Sequence, residues 1–145
     1  IEKTHPDFFW YGIHGIEILF AVMGTGCKTV TRIHTEDTDV AVGVWADGRI
    51  GTFRGIRSGK KDFGGTVYGE NEIYTLGKFN GYEDLLAQIT TFFETGKAPV
   101  SKQETLEIVA FMEAAEESKH NSGMAKSIES VFQKAAKEKN NSTTF

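Results

Sequence analysis

His14 and Glu17 stand three positions apart in the stretch Trp10-Tyr11-Gly12-Ile13-His14-Gly15-Ile16-Glu17-Ile18-Leu19-Phe20-Ala21-Val22-Met23-Gly24. Residues at i and i+3 share one face of a helix, so an imidazole and a carboxylate at this spacing point the same way. Such a pair can move a proton, orient a hydroxyl-bearing substrate or contribute two ligands to a metal. A histidine packed in a helix and bonded to backbone is the plainer alternative. Ile13, Ile16, Leu19, Phe20 and Met23 recur at helical spacing, and Gly24 is a stop signal. The spacing therefore predicts an amphipathic helix that carries the pair.

Other chemistry-bearing residues are scattered. A metal site on His14 and Glu17 needs a third ligand from His5 or His34. His5, His34 and His120 otherwise read as solvent-facing. Trp45, Tyr68 and Tyr74 fall on predicted strands, where aromatics serve as core, as interface or as a sugar-stacking surface. Lys60-Lys61 and the set Arg49, Arg54 and Arg57 suit either an anionic substrate or a solvated strand edge. Several familiar machines are missing. No G-x-G-x-x-G follows a strand, and Gly24-Thr25-Gly26 is too short and follows a helix. No P-loop, G-x-S-x-G or H-E-x-x-H occurs.

Composition narrows the classes further. The 145 residues are 39% hydrophobic and 25% charged, a profile suited to one domain with one core. A net charge of −4 argues against nucleic acid or an anionic membrane as partner, since both call for a basic patch. No apolar run is long enough for a transmembrane helix. Cys27 is the single cysteine, which excludes an intrachain disulfide and a Cys-based zinc site and leaves the compartment open. The start at Ile1, with no signal-peptide pattern, reads as the cut end of a longer parent chain.

The elements that must position the candidate site follow from period and punctuation. Pro6 suits an opening helical turn, capped by Thr4 or Asp7. Residues 28–35 are rich in β-branched types. Thr38–Ala46 puts Val40, Val42 and Val44 on one side of a strand and Ala41, Gly43 and Trp45 on the other. Asp47-Gly48 predicts a type I′ hairpin turn into a partner strand over 49–57. Two further strands are expected over 62–69 and 72–79. Leu85, Leu86, Ile89, Phe92 and Phe93 form one stripe of a helix ended by Gly96. Ser101-x-x-Glu104 is a capping box before a helix carrying Leu106, Ile108, Val109, Met112 and Ala115, with Lys119 and His120 in its last turn. A weak helix over 127–137 and a disordered tail over about 138–145 close the chain. One helix, about five strands and then two or three helices define an α+β fold, a largely antiparallel sheet with helices on one face. Apolar residues on both sides of the Thr38–Ala46 strand predict a homo-oligomer that pairs through the outer sheet face.

Taken together, Gly12, His14 and Gly24, the Asp47-Gly48 turn, and the run Gly96, Pro99, Val100, Glu104, Ala114 or Ala115 and Ser118 form one pattern. It resembles the C-terminal domain of the glucose–fructose oxidoreductase/inositol dehydrogenase (Gfo/Idh/MocA) family over about residues 6–125. Two positions depart from that pattern: Glu17 stands where an aspartate is usual, and Trp10 replaces the leading aspartate. The resemblance implies that residues 1–145 are a single substrate-binding and oligomerisation domain. The N-terminal Rossmann domain, which would bind NAD or NADP and supply an E-K-P lysine, is then missing. Glu2-Lys3-Thr4 is not that motif. The resemblance further implies a sugar or polyol substrate, His14 as the catalytic residue, and His14, Glu17 and Trp10 as substrate contacts. On this reading the isolated chain holds no cofactor of its own and is inactive alone. The alternatives are a non-catalytic carbohydrate-binding or scaffolding module of the same fold, and a small metal-dependent enzyme built on His14 and Glu17.

Overall fold

Alternation along Thr38–Trp45 sets the architecture. In the computed structural model, which describes residues 7–60, 62–77 and 80–142, strand β2 (Thr38–Trp45) lies between β1 (Cys27–His34) and β3 (Ile50–Ile56). A short β6 (Lys126–Ser127) pairs with the other edge of β1, giving the order β3-β2-β1-β6 with every pairing antiparallel. Asp39, Ala41, Gly43 and Trp45 point to the covered face, and Val40, Val42 and Val44 to the open one. A bulge at Lys28 shifts the register between Cys27 and Thr29. The extra residue lets Cys27 turn inward together with Val30 and Arg32 while Lys28 stays exposed.

Helix α1 (Gly12–Met23) and helix α3 (Lys102–His120) pack on the covered face. Their inward residues Ile16, Phe20, Phe111, Met112, Ala114 and Ala115 meet Val30, Ala41 and Trp45 in one core. Phe20, Trp45 and Phe111 form an aromatic triangle with centroids 5.6–6.4 Å apart. Gly43 makes room for it, because a β-carbon there would lie 2.7 Å from both the Phe111 and Trp45 rings. Helix α4 (Ile128–Ser142) adds Ile128 and Val131 to the core. Among the described residues the fold is thus α+β, with a four-stranded antiparallel sheet, a two-stranded sheet and four α-helices.

Three local expectations are corrected. The hairpin after β2 is not type I′. Gly48 has φ 88°, and Ser122 is the only described non-glycine residue with positive φ, so Asp47 stays in the ordinary region. Gly48 N–H donates to Trp45 O at 3.0 Å and Trp45 N–H to Arg49 O at 2.9 Å. This is the three-residue loop in which a tight turn is followed by a left-handed glycine. At the start, Asp7–Phe9 forms a separate 3₁₀ turn, and Tyr11 precedes α1 without a side-chain cap. Thr4, His5 and Pro6 lie outside the described residues, as does Lys61. At the end, α4 runs through Ser142 rather than stopping near Lys137.

The largest departure is the segment between Gly55 and Glu107. No described residue in it is buried. It holds the hairpin β4 (Gly65–Tyr68) and β5 (Ile73–Leu76), and helix α2 (Glu83–Thr95). Gly96 ends α2 in the left-handed conformation, as its position predicts. The stripe Leu85, Leu86, Ile89, Phe92 and Phe93 forms, yet all five side chains are exposed. Leu106 and Val109 of α3 are exposed as well.

Candidate functional site

Helix α1 is pinned to the sheet by the side opposite its polar pair. Ile16 and Phe20 are buried, and Gly15 lies against Phe53 of β3, where a β-carbon would overlap the ring. This close seating fixes the azimuth of α1 and turns His14 and Glu17 outward, 54% and 52% exposed. His14 Nδ1 lies 3.2 Å from Glu17 Oε2. A carboxylate at Nδ1 stabilises the Nδ1–H tautomer and leaves Nε2 as the nitrogen with a lone pair. Glu17 is thus the carboxylate that sets the His14 ring.

The pair sits in a row of aromatic rings. Trp10 and Tyr11 meet edge to face at 6.0 Å, Tyr11 and His14 lie 6.3 Å apart, and His14 and Phe63 meet edge to face at 6.1 Å. Trp10, Tyr11 and Phe63 are all exposed. Phe63 comes from the loop between β3 and β4, where its N–H donates to Asp62 Oδ1 at 2.9 Å. On the other flank of Glu17 a cleft of about 390 Å³ opens between α1 and α3, lined by Ile13, Glu17, Ala21, Val100, Glu104 and Ile108. The Ser101 hydroxyl accepts from Glu104 N–H at 3.1 Å, so Ser101 caps α3 as expected and fixes its start beside that cleft.

The structure therefore brings Trp10, His14 and Glu17 to one surface and adds Tyr11 and Phe63, which the sequence reading did not select. The other candidates lie elsewhere. Trp45 is in the core, where its Nε1–H donates to Gly24 O at 2.9 Å. Tyr68 and Tyr74 are exposed on the β4–β5 hairpin. Arg49 donates to Asp47 and to Met23 O at the C-terminal end of α1, where its charge suits the helix dipole. His120 faces Glu116 at 3.5 Å. Among the described residues, no group of three or more His, Cys, Asp or Glu is placed to hold a metal ion.

His34 and Arg57 belong to a second polar cluster that the sequence reading missed. Arg32 and Asp39 are both buried on the covered face. Asp39 Oδ1 accepts from Arg32 Nε at 2.7 Å and lies 2.8 Å from His34 Nδ1, and Oδ2 accepts from Arg57 Nη2 at 2.5 Å. Arg32 Nη1 also donates to Glu116 at 2.6 Å, and its guanidinium sits 3.9 Å over the Phe8 ring. Burial pushes the Asp39 carboxyl up, but the hydrogen bonds and charge of these partners outweigh it and hold the group below the usual carboxylate range. Arg32 and Asp39 form its packed centre on the covered face, and the partly exposed His34 carries it to the surface.

Cys27 is buried, and its thiol is pushed up to about 12 by burial and by the nearby Glu107 carboxylate. Glu107 in turn accepts from Gly26 N–H at 2.6 Å and Gln103 Nε2 at 3.0 Å, tying α3 to the start of β1. Gly24-Thr25-Gly26 follows the C-terminal end of α1, where carbonyls and the negative dipole end disfavour a phosphate. No described helix is long and apolar enough to cross a membrane. Compared with family models, curated proteins and solved structures, the chain matches none of them.

Proposed function

We propose that this chain is the substrate-binding and oligomerisation domain of an NAD(P)-dependent oxidoreductase acting on a sugar or polyol, similar to the C-terminal domain of the Gfo/Idh/MocA family. The observation that carries the reading is the outward-facing His14–Glu17 pair, at the spacing and on the helix where the resemblance expects its substrate histidine. Hydride transfer is chemistry that the nicotinamide supplies when the cofactor is bound by the parent's other domain. This chain's part is placement. Glu17 holds the His14 ring through Nδ1, and Nε2 accepts the hydrogen bond of the reacting or adjacent hydroxyl. Trp10 gives an apolar wall with an indole N–H at its edge.

Two apolar surfaces support a role inside a larger assembly. The open sheet face carries Val40, Val42, Val44, Ile33 and Ile50 among Thr29, Thr31, Thr52 and Arg54, and it is the face proposed to pair copies. The α2 stripe suits the missing Rossmann domain. A 13-residue helix is marginal in water without a surface to dock on.

A non-catalytic carbohydrate-binding module of the same fold is the second reading, favoured by Trp10 at the place of the family's aspartate. The coding sequence upstream of Ile1 separates the two. The oxidoreductase reading predicts a strand, G-x-G-x-x-G opening a helix, and E-K-P there. Their absence would favour the binding module.

A further inference from the structure

We infer that Phe63 is a substrate-contacting residue of the His14 site, and that it selects ligands presenting a C–H face beside their hydroxyl groups, as a pyranose ring does. The inference rests on the proposed sugar reading of that site and adds a residue from a different element. Phe63 lies forty-nine positions from His14, in the loop that leaves β3. Its ring nevertheless stands edge to face with the His14 imidazole at 6.1 Å. Tyr11 lies 6.3 Å from the same imidazole, and Trp10 follows 6.0 Å beyond Tyr11.

Three features favour a sugar ring over a purely apolar occupant. First, the row is not uniformly greasy. Beside the rings stand the His14 Nε2 and the Glu17 oxygen left over from their mutual hydrogen bond, and an aliphatic ligand would strip water from both without replacing it. Second, Trp10, Tyr11 and Phe63 are each about half exposed, at 48%, 53% and 45%. They offer ring area to a ligand, and each already stands against a neighbouring ring, which reduces the ordering entropy lost on binding. Third, a pyranose in its chair form carries axial C–H bonds on one face and hydroxyls around its rim. That shape places C–H groups on an aromatic ring while the rim reaches the imidazole and carboxylate. An open-chain polyol bears the same hydroxyls but has no preformed face, and must freeze several torsions to make one.

The test is a titration of the isotopically labelled chain, which has its own core, with methyl β-glucopyranoside and with sorbitol at millimolar concentrations, followed by the backbone amide signals of α1 and the β3–β4 loop. The expected result is saturable shifts at both segments with the pyranoside and several-fold weaker binding of sorbitol. Phe63→Ala should weaken the pyranoside roughly fivefold, the size of one aromatic contact. Phe63→Tyr should keep it, and neither variant should change the melting temperature. If Phe63→Ala binds the pyranoside as the unaltered chain does, or sorbitol binds equally well, the role of Phe63 is overturned while the sugar reading stands. If neither ligand shifts the unaltered chain, the sugar reading falls and this inference with it. Shifts in these segments that depend on protein concentration without ligand would make the row a contact between copies, also against the inference.

Discussion

Asp39 Oδ1 accepts a hydrogen bond from Arg32 Nε at 2.7 Å, and neither side chain is exposed to solvent. The two residues lie on neighbouring strands, both on the face covered by α3. Glu116 of α3 closes the arrangement by binding Arg32 Nη1. The guanidinium thus bridges sheet and helix behind the core. Removing one partner of such a pair leaves the other charge buried. Asp39→Asn or Asp39→Ala should therefore destabilise the fold by about 3–5 kcal/mol, measured by urea unfolding. A loss of less than about 1 kcal/mol would show that the network carries little of the stability.

The same carboxyl predicts acid sensitivity. Its pKa is held below the usual carboxylate range in the folded chain. The unfolded value is about 3.9. Its contribution is therefore complete above that value and is lost as pH falls through the lower folded value. Unfolding free energy should drop steeply below about pH 4, and Asp39→Asn should flatten that drop relative to the unaltered chain.

Cys27 should be chemically silent in the native state. The thiol is buried and its pKa is raised to about 12, so little thiolate exists near neutral pH. A thiol-specific chromogenic disulfide should react at the rate of unfolding and in full only in denaturant. Rapid labelling of the native chain would contradict the packing of Gly43, Cys27 and Phe111.

Much of this was legible in the sequence, because it rests on local period and punctuation. The alternation of Thr38–Trp45, the stop at Gly24, the left-handed Gly96 and the Ser101–Glu104 cap all formed where the residue types place them. What was not legible depends on contacts between distant elements. Asp39 shares the inward parity of Ala41, Gly43 and Trp45, which was a visible signal that a carboxylate points into the core. Only the fold shows that Arg32 and Arg57 arrive there to hold it. Phe63 was unreadable as a site residue for the same reason, since nothing local ties the β3–β4 loop to α1. The α2 stripe shows the converse. Its periodicity predicts a helix with an apolar face but not what covers that face, and here nothing within the described chain buries it.

The open sheet face should hold copies of this chain together. Trp45 is not part of that contact, because it lies on the covered face. Val42, midway along β2 on the open side, is central. Sedimentation at about 100 μM should show dimers or larger species, a concentration at which ordinary specific contacts are saturated. Val42→Lys should convert them to monomers with little change in secondary structure. A strict monomer of the unaltered chain would remove the sheet face as an interface.

The most direct test is the kinetic effect of His14→Ala in the two-domain oxidoreductase proposed as this chain's parent. A positioned acid–base group contributes roughly 10²–10⁴-fold to turnover. With an exposed Glu17 carboxylate orienting the ring at 3.2 Å, the low end is expected, with NAD(P) binding by the proposed parent unchanged. A loss confined to KM would make His14 a binding group that moves no proton. Unchanged kcat and KM would contradict the account and leave His14 a surface histidine paired with Glu17.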